Sequence, residues 1–242
     1  MDKETVVCLG ASTIAGKGTF NVIKELEARP QNNHFTFINI GVGGDLAYNG
    51  LQRLPNVIAK NPDRVIILIG GNDILATVFP NVKKYFTLWK KLPQQPSKEW
   101  FYENLLEIVK TLKEKTVAKI AVCSLTEVGE APDSKNPAQR EMNILYKEYA
   151  EIIKQICKDE HINYIPLYEK LHQQIQVSPG KSFTTFSFLA FYRDYIFKEF
   201  ILRKNFDQIS QENGWKFHIE GVHLNTRGGK IFADAVQQFL DK

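Results

Sequence analysis

The chain alternates between short unbroken apolar runs and longer amphipathic stretches. Val6-Val7-Cys8-Leu9, Phe35-Thr36-Phe37-Ile38 and Val65-Ile66-Ile67-Leu68-Ile69 are near-continuous. They lack the polar residue at every second position that marks a sheet with one wet face. Such strand-like runs fall near residues 5–9, 35–40, 64–69, 118–124 and 162–166, and helical patterns at about 17–28, 47–59, 98–115, 138–159 and 226–241 lie between and after them. That rhythm predicts βαβ units, an α/β fold with a parallel sheet covered by helices on both faces. The last helix is the best marked. Asn225 and Thr226 offer capping side chains, and Ile231, Phe232, Ala235, Val236, Phe239 and Leu240 follow at helical spacing.

Two stretches exceed this minimal alternation. Residues 77–100 carry Phe79, Tyr85, Phe86, Trp89 and Trp100 among lysines, and residues 181–215 run from Phe183 to Phe206 with a large share of the aromatics. Both read as insertions into one domain spanning 1–242, a length that one α/β core can fill. Such aromatics must be buried against something: the domain itself, a second subunit in a homodimer, or a substrate pocket that they cap as a lid.

Composition narrows the class. Hydrophobic content of 43% and charged content of 24% are ordinary for a globular protein, and no segment has the eighteen or so apolar residues of a membrane span. No stable membrane insertion is therefore expected. The charged start, Met1-Asp2-Lys3-Glu4-Thr5, lacks the apolar stretch of a signal peptide, so a cytoplasmic location is expected. Cys8, Cys123 and Cys157 are odd in number and sit within apolar patterns, as small core residues do. The net charge of +4 is modest and its lysines are scattered, which argues against a nucleic-acid partner and leaves only weak attraction to anionic surfaces.

Three distant segments each contain a residue that acyl-transfer chemistry needs: Gly10-Ala11-Ser12, Gly70-Gly71-Asn72-Asp73 and Glu220-Gly221-Val222-His223. The first two begin where strand-like runs stop, and in an open parallel sheet ligands bind at the carboxyl ends of strands. Gly10-Ala11-Ser12-Thr13 is not a phosphate loop. Five residues separate Gly10 from Gly16-Lys17 where four are needed, and Gly18 stands where Ser or Thr belongs. Ser12 could be a plain helix cap, but a nucleophilic serine needs a base, an orienting acid and oxyanion donors, and each has a candidate. His223 precedes the last helix, Asn72 can present its side-chain amide, and the glycines of Asn39-Ile40-Gly41-Val42-Gly43-Gly44-Asp45 permit close backbone approach to a ligand. Asp73 reads as a cap or brace for the turn after Asn72. His34, His161 and His172 lie in no motif, and no histidine pair has metal-ligand spacing.

The ordered set resembles the SGNH hydrolases, the GDSL-type lipases and esterases, with blocks along nearly the whole chain. The resemblance places the nucleophile on Ser12, the base on His223, and the oxyanion donors on the Ser12 N–H, Gly44 and Asn72. It also implies a flavodoxin-like three-layer α/β/α sandwich with a five-stranded parallel sheet, and no metal or organic cofactor. Two positions depart from the family pattern: Ala11 replaces an Asp before the nucleophile, and Glu220 replaces an Asp three residues before the histidine. Glu is one methylene longer and must fold back to reach His223. It remains the favoured orienting acid, with a backbone carbonyl, Asp207 or Glu212 as alternatives and His218 as a rival base.

The resulting expectation is a serine ester hydrolase that works through an acyl-enzyme on a small-molecule or lipid-like ester, of the carboxylesterase, lipase or lysophospholipase kind. Three rivals stand beside it. An O-acetyl-sugar esterase would have a small pocket closed by Trp89 or Phe188, a binding protein would keep the fold without turnover, and a flavin or nucleotide binder would carry its ligand.

Overall fold

The computed structural model describes residues 3–184 and 203–242. Five parallel strands form its sheet in the order β2-β1-β3-β4-β5: β1 Glu4–Gly10, β2 Phe35–Gly41, β3 Arg64–Leu68, β4 Lys119–Cys123 and β5 Asn163–Ile165. All five coincide with the expected runs. Val6, Val7, Leu9, Val65 and Ile67 are wholly buried, as unbroken apolar strands between two helical layers must be. The register sets Gly10 beside both Gly41 and Leu68, so β1, β2 and β3 end in one row. The residues that follow those ends face one crevice, at β1, where the strand order reverses.

The helices are α1 Ser12–Ala15, α2 Val22–Glu27, α3 Ala47–Gln52, α4 Leu54–Ile58, α5 Gly71–Val78, α6 Pro80–Trp89, α7 Lys98–Lys115, α8 Pro137–Asp159, α9 Leu167–Val177, α10 Phe206–Asn213 and α11 Thr226–Leu240. The long ones follow their sequence signals. Ser97 caps α7 by accepting from Trp100 N–H, and Phe101, Leu105, Ile108 and Leu112 bury one face. Asn136 and Pro137 open α8, whose Met142, Tyr146, Tyr149 and Ile153 turn inward. Asn225 caps α11 by accepting from Gly228 N–H. The far end of α11 is held by Arg64, which donates to the carbonyls of Phe239 and Leu240 and pairs with Glu4.

Some expectations were too coarse. The helix expected over 17–28 is confined to α2, Val22–Glu27, and a separate one-turn α1, closed by Gly16 at φ +66°, precedes it. The helix expected over 47–59 breaks at Arg53 into α3 and α4. In the 77–100 stretch, α6 buries Val82 and Phe86 while Leu88 and Trp89 stay exposed. Of the aromatic-rich 181–215 stretch, residues 185–202 lie outside the described residues. Phe183 is buried, and α10 accounts for Phe206 onward.

Candidate active site

Ser12 is the first residue of α1, directly after the end of β1. Its backbone N–H is therefore one of the orphan donors at a helix start. Ala11 takes the N-cap position, so the plain-cap reading of Ser12 does not apply. Ser12 Oγ lies 3.0 Å from His223 Nε2, although the two are 211 residues apart in sequence.

His223 sits on a tight hairpin. Asn225 N–H donates to Phe217 O at 3.0 Å, Ile219 N–H donates to His223 O at 2.8 Å, and His218 pairs with Leu224 across the two arms. Glu220 and Gly221 form the tip. Gly221 has φ +96°, where side-chain-bearing residues are strained, and a Cβ there would sit 2.7 Å from the Trp215 ring. This turn folds Glu220 back: one carboxylate oxygen accepts from His223 N–H at 3.1 Å and makes a short hydrogen bond with His223 Nδ1. The extra methylene of Glu is taken up inside the turn, so neither Asp207 nor Glu212 is the partner. Asp207 accepts from Thr226 N–H at 3.1 Å, and Glu212 pairs with Lys204.

The base of the hairpin rests on the loop after β4. Glu130 accepts from the N–H groups of Lys216, Phe217 and His218 at 2.7, 2.6 and 2.9 Å, and lies 3.0 Å from His218 Nδ1. Both side chains are fully buried. Burial pushes the Glu130 carboxyl up. The His218 hydrogen bond and charge, with the Lys216 and Phe217 N–H groups, outweigh it and hold the carboxyl below the ordinary range. His218 Nε2 reaches Glu127 O, 3.2 Å away. His218 is therefore committed to the hairpin base and is not the partner of Ser12. Gly129 N–H reaches the tip, donating to Gly221 O at 2.9 Å.

The glycine loop after β2 is clamped from two sides. Arg53 pairs with Asp45 at 2.6 Å and donates to Gly10 O at 3.1 Å and to Ile40 O. Lys90 donates to Asp45 and to Gly43 O, each at 2.8 Å. Gly44 has φ +76°, and any Cβ there would run into the Trp89 ring. Asn72, in the first turn of α5, donates one amide N–H to Asp45 O at 2.9 Å, which fixes the amide and leaves its second N–H. Asp73 braces a different turn from the one expected. It is wholly buried and accepts from Ala47 N–H at 3.1 Å, at the start of α3, and burial pushes its carboxyl up to about 8. Neighbouring residues of α5 thus hold both ends of the 45–47 segment.

Ser12, Gly44, Asn72 and His223 line one cleft of about 290 Å³. Its remaining wall is largely apolar, with Leu68, Ile69, Leu75, Leu125 and Tyr146 from the elements around the strand ends and Tyr85, Phe86 and Trp89 from α6. The expected residues thus converge, and the Glu220 carboxylate stands behind His223. The aromatic run of 77–100 had signalled the α6 contribution. Nothing in the sequence marked Leu125, Tyr146 or Glu130, whose roles depend on which loops lie against the strand ends. Burial, the largest single effect, pushes the His223 imidazole down, but the charge of Glu220 and its hydrogen bond together outweigh it and leave the imidazole above its ordinary value. Among the described residues, no three His, Cys, Asp or Glu side chains converge as a metal site.

Comparisons with known proteins agree with this fold. Solved structures with the same fold include the acetyl xylan esterase AlAXEase, 18% identical with TM-score 0.63, matched over 98% of this chain and 99% of that one. A catalytic mutant of Axe2, an acetylxylan esterase from Geobacillus stearothermophilus, is 17% identical with TM-score 0.65, over 98% and 94% of the two chains. A putative GDSL-like lipase from Parabacteroides merdae is 15% identical with TM-score 0.64, over 98% and 95%. No curated protein sequence matches the chain. The model of the GDSL-like lipase/acylhydrolase family matches residues 8–231, so the chain belongs to that family and is a carboxylic ester hydrolase of the serine type.

Proposed function

We propose that Ser12, His223 and Glu220 carry out the hydrolysis and that the acyl group of the ester lies along the apolar wall of the cleft. The observation that carries this reading is the continuous contact from Ser12 Oγ to His223 Nε2 and from His223 Nδ1 to Glu220. With its Nδ1 proton directed at Glu220, the imidazole presents the Nε2 lone pair to Ser12. It takes the serine proton as Oγ attacks the ester carbonyl and gives it to the leaving alcohol. The Ser12 N–H, the Gly44 N–H and the second Asn72 N–H receive the oxyanion. Water, deprotonated by His223, then attacks the acyl-enzyme and frees the carboxylic acid. Leu68, Leu75 and Leu125 favour an acyl chain of several carbons, and α6 serves as a cap.

The second reading, an esterase for O-acetylated sugars, is favoured by the acetyl xylan esterases among the structures of similar fold. A p-nitrophenyl ester series from acetyl to dodecanoyl, together with acetylated xylo-oligosaccharide, separates the two. The acyl-wall reading expects Ser12-dependent turnover to peak beyond acetyl. A peak at acetyl with release of acetate from the oligosaccharide supports the second reading instead.

A further inference from the structure

The rim of the cleft carries an apolar and cationic surface that the hydrolysis itself does not use. From Ile74 to Lys98 the chain holds Lys83, Lys84, Lys90, Lys91 and Lys98 and neither Asp nor Glu. Lys90 is engaged by Asp45 and Lys98 by Glu148. Among the described residues, no ion pair engages Lys83, Lys84 or Lys91. On α6 the inward positions are Val82 and Phe86, and Lys84 and Leu88, four apart, point away from them. Leu88 is 70% exposed and Trp89 is 52% exposed. The Trp89 ring covers Gly44, and Val42, 42% exposed, stands in the same glycine loop. Trp89, which lines the cleft, thus joins it to the exposed outer face of α6, where Leu88 stands with Lys84.

We propose that this face of α6, with Lys91 after it, docks on an anionic phospholipid bilayer. Exposed Leu and Trp side chains insert at the headgroup boundary, and adjacent lysines answer the negative surface. The helix lies on the surface, and no described helix is long and apolar enough to span a membrane. A second copy of the chain is the poorer occupant, because a two-fold contact would bring the lysines of one copy against those of the other. Docking would deliver an acylated lipid to Ser12 without passage through water. That use rests on the proposed acyl-ester reading, whereas the docking itself does not.

The test is co-sedimentation of the full chain with phosphatidylcholine vesicles, with and without phosphatidylglycerol, alongside tryptophan emission. Trp100 and Trp215 are buried, at 8% and 9% exposure, so a blue shift on binding reports chiefly on Trp89. Binding and the blue shift should appear only with phosphatidylglycerol and fade as salt rises. K84E/K91E should weaken partitioning on the order of thirtyfold or more, from the loss of two surface cations, and L88S should weaken it as well. Both variants should keep wild-type turnover of a water-soluble p-nitrophenyl ester. Equal binding to both vesicle types, equal binding by the variants, or a dimer in light scattering that L88S dissolves would overturn the proposal. Vesicle binding without any soluble-ester turnover would count against the hydrolysis reading and leave the docking standing.

Discussion

Glu130 and His218, 3.0 Å apart and both closed off from solvent, form the foundation of the hairpin whose tip carries Glu220 and His223. A carboxylate that gathers three successive backbone N–H groups and an imidazole leaves that hairpin little freedom to tilt. The same hairpin sets His223 Nε2 3.0 Å from Ser12 Oγ.

Removing Glu130 should therefore affect stability and turnover together. Glu130→Ala strands buried donors and should cost about 3–5 kcal/mol in urea unfolding. Glu130→Gln keeps the shape but turns a donor toward backbone donors, and should cost about 1–3 kcal/mol. At a temperature where it stays folded, Glu130→Gln should lower kcat more than it raises KM. An unchanged kcat in a folded Glu130→Gln protein would mean that the hairpin holds its geometry without this carboxylate.

The pH profile should report Glu220. The proposed mechanism needs His223 neutral to act as a base, and Glu220 holds its pKa above the ordinary value. Activity should therefore be full above that raised pKa and fall as pH drops through it, with the midpoint above about 6.5. In Glu220→Gln the raising charge is gone while burial still lowers the pKa, so the acid limb should move to lower pH. Its kcat should drop by roughly a hundred- to ten-thousand-fold. An acid limb that does not move would assign the titration to another group.

Asp73 makes a stability prediction of the opposite kind. Its folded pKa of about 8 lies above the unfolded value of about 3.9. The stability from its protonated form is present below the unfolded value and is lost as pH rises through about 8. Asp73→Asn can still accept from Ala47 N–H and cannot ionise. Its Tm relative to wild type should rise from about pH 5 to about pH 8 and level off above it, and a pH-independent difference would contradict the buried-acid account.

Gly44→Ala tests the glycine loop. The added Cβ meets a positive φ and the Trp89 ring at once, so the loop must shift its N–H away from the cleft. With Gly44 N–H as one of the proposed oxyanion donors, its loss should cost roughly a hundred- to thousand-fold in kcat. Gly44→Ala/Trp89→Ala relieves the clash but not the backbone strain and should recover part of that loss. Full recovery would show that the steric contact alone mattered.

The central strands β1, β3 and β4 were legible because each is an apolar run buried on both faces, whereas the part-exposed edge strands β2 and β5, interrupted by Thr36, Asn39 and Asn163, were legible from their place in the alternation with helices. The convergence of Ser12, Asn72 and His223 in one cleft was legible because each stands in a short segment with a chemical reason for its residue types. Glu220 was legible as a candidate only. Its reach depended on the turn at Gly221, which the sequence permits but does not draw. Asp73 was misplaced because its partner, Ala47, lies 26 residues away on another helix, and Glu130 was missed because its partners lie 86 to 88 residues further on. Contacts of that span leave no local signal. The late start of α2 at Val22 and the break at Arg53 reflect loop geometry that overrides helical periodicity.

The account stands or falls on Ser12 becoming acylated. The direct measurement is mass spectrometry of the protein quenched in acid during turnover of a p-nitrophenyl ester, followed by peptide mapping. We predict a mass increase of one acyl group on the peptide that contains Ser12, absent in Ser12→Ala and reduced in His223→Ala. Turnover by Ser12→Ala at the wild-type rate, or an acyl group mapped to any other residue, would contradict it.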